Sequence, residues 1–239
     1  MTHKQAVRAI FLLLLLLCVA IYQVFADPSG SSITSASSTT AQNASPGSRS
    51  DGRGTITTLL LNSIQQDQRW KAYVGNVTGL LSLDNANNFT IYSWDLLTVT
   101  GEVYASRFGN LSWTSVSCAS HGLINNESSF FSMIQSNADR INATFNWSIH
   151  KGFSVGTNTI NANSCNSTVT YVNDTRQVPT AGSPFQELLL QDTNGYLMYL
   201  TDINDNTQGY DNTSYDFQMI VPENNTGVPT PYYFYIELS

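Results

Sequence analysis

Few side chains in this sequence can do chemistry. Cysteine occurs at Cys18, Cys118 and Cys165, and histidine at His3, His121 and His150. Cys118-Ala119-Ser120-His121 has the spacing of half a metal site. His150 lies far off in sequence, however, and structural metal centres of this kind need four ligands. The stretch before Cys118 also lacks the first cysteine of a haem-attachment motif. In an exported chain, Cys118 and Cys165 are expected to oxidise to a single disulfide, worth about 4 kcal/mol at most for a loop of this length.

Oxygen ligands are more plentiful. Asp202-Ile203-Asn204-Asp205-Asn206 opens like a calcium loop, but Thr207 stands where such a loop needs Gly, and Thr213 where it needs a bidentate Glu. A looser calcium site would use Asp202, Asn204, Asn206 and Asp211. The competing reading is a solvated turn whose Asn and Asp side chains bond their own backbone. Residues 177–239 hold 8 acidic residues and no Lys, Arg or His, which suits a divalent cation. For acid–base work, Glu102, Glu127 and Asp139 are available, yet their spacing singles out no glycosidase pair. No Gly-X-Ser-X-Gly elbow and no Gly-rich phosphate loop occur. A non-enzymatic chain is the expectation. Trp70, Trp94, Trp113 and Trp147, with 12 Tyr, supply either a sugar-binding face or core and cross-strand pairs.

Asparagine gives the strongest surface signal. Of 23 Asn, 11 begin an Asn-X-Ser/Thr sequon: Asn43, Asn76, Asn88, Asn110, Asn126, Asn142, Asn146, Asn166, Asn173, Asn212 and Asn224. With 53 Ser and Thr in 239 residues, chance supplies about five, so the excess is twofold and marks acceptors for N-glycans on an exported surface. Around Asn76 the glycan requirement sets orientation: Asn76 and Thr78 outward, Val77 inward.

The elements that must carry these residues are short strands. Period-two alternation recurs at Tyr73–Leu83, Val99–Tyr104, Tyr215–Val221 and Tyr232–Leu238, with further strand-like runs at Phe89–Trp94, Thr168–Tyr171, Phe185–Gln191 and Tyr196–Thr201. Such runs, separated by Asn, Asp, Gly or Pro, predict a mainly β fold: a single antiparallel β-sandwich, Greek-key or Ig-like, with one or two short helices. Leu197–Leu200 is apolar on both faces and reads as a central strand. One helix is expected to start at a Ser128 or Ser129 cap and end near Asn137. A second candidate spans Thr58–Trp70, where Leu59-Leu60-Leu61 could equally be a strand.

Three regions follow from composition. Residues 1–26 combine basic Lys4 and Arg8 with six leucines from Leu12 to Leu17 and a small-residue exit at Ala26. That is a secretory signal peptide, or, left uncleaved, an N-terminal membrane anchor. A pilin-type cut near Arg8-Ala9 fits poorly with Phe11 and the early Ser-rich tract. Residues 27–54 hold 9 Ser, 3 Thr and one large apolar side chain, Ile33, the composition of a flexible Ser/Thr-rich linker or O-glycosylated stalk. Residues 55–239 form the β-sandwich domain. Without the first 26 residues, 8 Lys and Arg face 17 acids, a net charge of −9, which excludes nucleic acid as a partner. The location is extracellular or the cell surface, with a membrane contact only through an uncleaved N-terminal segment.

Several segments together resemble a family of exported archaeal proteins: Trp70–Gly79, Ile91-Tyr92-Ser93-Trp94, Gly101–Ser106, Asn142–Asn146, Cys165 with Tyr171-Val172-Asn173, Asp216–Met219 and Tyr232–Leu238. The resemblance covers residues 55–239. It implies an S-layer-like envelope or surface protein and brings no catalytic residues with it.

The functional expectation is a surface-displayed glycoprotein with a structural or adhesive role, its partners being other envelope proteins, glycans or further copies of itself. Two alternatives stand beside it. One is a carbohydrate-binding module or glycan-active hydrolase. The other is a filament subunit assembled by strand exchange. The second rests on Tyr232, Phe234, Ile236 and Leu238, an apolar face that must be buried either in its own chain, beside the strand ending at Val221, or in a neighbour's.

Overall fold

A computed structural model describes residues 27–96 and 98–239. The expected signal peptide or anchor at residues 1–26 lies outside the described residues.

The fold is mainly β and antiparallel. Its largest sheet contains β1 (Ser29–Gly30), β5 (Gly101–Ser106), β6 (Ser117–Cys118), β9 (Ser167–Val169), β10 (Gln186–Gln191), β11 (Leu197–Asp202) and β15 (Tyr233–Leu238). Their order is β1-β15-β5-β11-β10, with β6 and β9 both pairing with β10. β11 is buried at every residue, as its unbroken apolar run requires for a strand covered on both faces. Gly101 is dictated by the close approach of β15: at φ 133°, an added Cβ would lie 1.9 Å from the Glu237 carbonyl oxygen.

Two apolar layers sandwich this sheet. On one face Val103, Ala105, Leu189 and Tyr199 meet Met219 and Val221 of β14 (Phe217–Pro222). β14 pairs along its length with β2 (Trp70–Gly75). The same core takes Ile124 from α1 (His121–Phe130) and Ile141 from α2 (Ile141–Thr144). On the opposite face Tyr104, Leu188, Leu190, Met198 and Leu200 pack against Val155 of β7 (Phe153–Val155) and Ile160 of β8 (Asn158–Ile160). Each of these fully buried side chains contributes roughly 1.5–3 kcal/mol. Two more hairpins complete the chain: β3 (Leu80–Asp84) with β4 (Thr90–Asp95), and β12 (Thr207–Gln208) with β13 (Ser214–Tyr215).

Four details depart from the sequence reading. The helix expected to begin at Ser128 or Ser129 instead ends there: Ser120 caps it by accepting from the Leu123 amide, and Ser128 is buried inside it. The Thr58–Trp70 candidate is neither helix nor strand up to Gln68, and Leu59, Leu60 and Leu61 are exposed. Regular structure resumes at Trp70 rather than Thr55, because nothing covers those leucines. The segment read as a tether is held at its start as well: Ser29 and Gly30 pair with Ile236 and Tyr235, and Ser31 bonds the Phe234 carbonyl. The stretch between β1 and β2 is thus a loop anchored at both ends. The C-terminal strand closes in its own chain, as expected, but pairs with β1 and β5 and not with the strand ending at Val221. That strand belongs to the other sheet.

Candidate functional site

The Cys118–Cys165 disulfide is present, with the two Cα atoms 5.0 Å apart. Both cysteines lie at one sheet edge. Cys118 pairs with Leu190, Ser167 pairs with Leu188, and the Leu189 backbone bonds both segments, through the Ala119 amide and the Asn166 carbonyl. The bond therefore clips two short strands end to end along β10 and covers an edge that would otherwise be free to pair with another chain. A disulfide of this kind belongs to an oxidising compartment. Among the described residues no helix is long and apolar enough to cross a membrane.

His150 completes this clip. It is fully buried, its Nε2 accepts from the Ser164 and Cys165 amides at 2.9 Å each, and its Nδ1 donates to the Lys151 carbonyl at 2.6 Å. Burial pushes its pKa down, which keeps the ring neutral with an acceptor on Nε2. This role is not legible in the sequence, because His150 and Cys165 meet only through the fold. His121 sits at the exposed start of α1, and the Cys118 sulfur is taken up by the disulfide.

Each of the four candidate calcium ligands has hydrogen-bond partners within the protein. Asp202 is buried, accepting from the Gln186 amide at 3.2 Å and pairing with Lys151 at 2.9 Å. Asp211 bonds the Tyr215 hydroxyl at 3.1 Å, Asn204 the Asp202 carbonyl and Asn206 the Asp205 carboxylate. The turn is organised by Asp216 instead, which accepts from the Asn206 amide at 2.9 Å and the Val77 amide at 2.7 Å. Among the described residues no group of three or more His, Cys, Asp or Glu could hold a metal ion.

The three candidate acid–base residues are also separated. Glu127 is held by Arg107 through two 2.7 Å bonds, and Asp139 lies 3.8 Å from Arg69. Glu102 occupies a different setting. It pairs with Asp202 on one side and Glu237 on the other, so three carboxyl groups share one row across β11, β5 and β15. Burial, then the Glu237 charge, push the Glu102 pKa up to about 8. Glu237 is also raised by burial, while its carboxylate accepts from the Tyr104 hydroxyl and the Gly156 amide at 2.9 Å each. Glu187 is fully buried and likewise raised by burial. Its Oε2 accepts from the Ile220 amide, and its Oε1 has no partner. Glu237 and Glu187 are set among backbone and tyrosine donors.

None of the 11 sequon asparagines is buried. Asn43, Asn76, Asn88, Asn110, Asn126, Asn146, Asn173 and Asn212 are exposed, while Asn142, Asn166 and Asn224 are half-buried. Val77 points inward between exposed Asn76 and Thr78. Of the tryptophans, Trp70 and Trp113 pack against the two cores, Trp147 is at the surface, and Trp94 stands on the exposed β4.

No protein-family model, curated protein or solved structure matches the chain.

Proposed function

We propose that the chain is a non-enzymatic, N-glycosylated structural protein of the cell exterior, of the kind found in archaeal envelopes. The observation that carries this reading is the placement of the sequons. A twofold excess of acceptor asparagines lies entirely outside the cores, on loops and turns and, at Asn126 and Asn142, on the two helices. The disulfide clip agrees with it, since such a bond persists in an oxidising compartment. Its partners are envelope proteins, glycans or further copies of the chain. Protease treatment of intact host cells tests the location. The protein should be recovered in the envelope or medium and be cut from outside; recovery in the cytoplasm with two reduced thiols would overturn the reading.

Carbohydrate binding is a second reading, favoured by the exposed rings of Phe89, Tyr92 and Trp94 on one hairpin. Retention on polysaccharides that is lost in Trp94→Ala would support it. Equal retention by both proteins would dismiss it.

A further inference from the structure

The β3–β4 hairpin pairs with no other strand of the described fold. A two-stranded hairpin alone is at best marginally stable in water, and a third strand or a covered apolar face stabilises it. Its register sets Leu81 opposite Trp94 and Leu83 opposite Tyr92, all on one face. The Tyr92 and Trp94 rings meet edge to face, 5.0 Å apart. Yet Tyr92 remains 60% exposed and Trp94 48%, and Phe89 and Ile91 are more exposed still.

A second apolar stretch of the same chain is equally uncovered. Ile56, Leu60 and Ile64 are 100%, 99% and 90% exposed. At intervals of four they share one side of an extended strand. Thr55, Thr57 and Thr58 are β-branched and favour that conformation. No charged residue lies between Thr55 and Ile64, so nothing in the segment opposes burial. The flanks are complementary, with Arg53 just before the segment and Asp84 and Asp95 on the hairpin strands.

We propose that the Thr55–Ile64 segment of one copy adds as a third strand to an open edge of the β3–β4 hairpin of a second copy. Among the described residues nothing covers either surface although the chain carries both, which points to a neighbour as the occupant. Counted over both faces, the large apolar side chains of segment and hairpin each expose roughly 800 Å²; edge pairing buries part of this together with the strand backbone, which makes a contact at the small end of specific interfaces. Leu60 is ten residues from the Trp70 anchor, so at 3.3 Å per residue the segment can swing out roughly 33 Å, enough to reach a molecule packed alongside. Donor and acceptor are different surfaces, so the contact is head-to-tail and propagates into a ring or filament. The proposal needs only the folded chain and holds wherever the protein resides.

The test uses the exported, oxidised full chain and two variants at surface positions, Leu60→Asp in the segment and Tyr92→Asp in the hairpin. Unchanged melting midpoints show that both variants fold. Light scattering and electron microscopy should show oligomers of the unaltered protein, with assembly weakened on the order of a hundredfold in either variant alone. Mixing the variants should give dimers and nothing larger, because each supplies the one surface the other lacks. An unaltered chain that stays monomeric at every concentration, or variants that assemble like it, would overturn the proposal. So would a monomer whose Thr55–Ile64 amides are protected from hydrogen exchange, since the segment would then dock in its own chain.

Discussion

Glu102 and Glu237 stand opposite each other on adjacent antiparallel strands, with Asp202 flanking Glu102 on its other side. Neighbouring like charges across strands destabilise a sheet. The row is tolerated because Lys151 pairs with Asp202, Tyr104 donates to Glu237, and Glu102 keeps its proton well above the usual carboxylate range.

The pH dependence follows from that raised pKa. A carboxyl group with pKa 4.5 unfolded and about 8 folded binds more protons in the folded state between those values. Its contribution is therefore fully present in acid and is lost as pH rises through 8. Each unit is worth about 1.4 kcal/mol, so stability should fall by a few kcal/mol from pH 5 to pH 9. Glu237, Asp202 and Asp27 add negative charge to the region and steepen the loss, while Lys151 moderates it. Urea unfolding midpoints across this range measure it. Glu102→Gln should flatten the curve and raise the midpoint at pH 9; an unchanged curve would refute the assignment.

His150 acts in the opposite direction. Its pKa lies below 6.5 when folded, so acidification favours the unfolded state, where the ring protonates freely. Between pH 6.5 and 8 the carboxyl effect acts without it. Replacing the ring leaves the Ser164 and Cys165 amides without their acceptor. His150→Ala should cost about 3 kcal/mol, from two buried donors at 1–3 kcal/mol each. The variant's midpoint should also lose its acid-side decline.

The disulfide should contribute up to about 4 kcal/mol. For a domain of this size, Cys118→Ala or Cys165→Ala should lower the melting midpoint by roughly 10 °C. The double variant should match either single one, because the two residues form one unit. Full additivity of the two losses would contradict this.

Sequon use should follow exposure. Glycopeptide mass spectrometry should find the eight exposed asparagines more fully occupied than Asn142 and Asn166. Those two are already engaged: Asn142 donates to the Asn125 side chain at 2.5 Å and Asn166 to the Phe145 carbonyl at 2.8 Å. Asn166→Gln should destabilise by about 1 kcal/mol through that lost bond, whereas Asn88→Gln should be neutral.

Legibility in the sequence tracked how far an element's own side chains determine its place. Leu197–Leu200 was readable as a central strand because both its faces are apolar, and β11 is buried throughout. The disulfide was readable because only two cysteines follow the N-terminal apolar segment. α1 was misplaced because it lacks an apolar stripe: Glu127 and Ser128 are buried in it, with Glu127 neutralised by Arg107, a residue 20 positions away. β1 left no pattern at all, since Ser29 and Gly30 join the sheet through backbone alone. The setting of Asp202 was hidden for a related reason. Loop spacing placed Asp202 among ligands, but the fold turns it toward Lys151. The carboxyl row was hidden because its members lie on strands brought together only by the sheet order.

The most direct test of the account is the intact mass of the protein isolated from its own cells under non-reducing conditions, before and after chemical deglycosylation. The account predicts a mass well above that of the bare polypeptide, collapsing on deglycosylation to a chain with no free thiol at Cys118 or Cys165. A native mass equal to the unmodified polypeptide, with both thiols reactive, would contradict it.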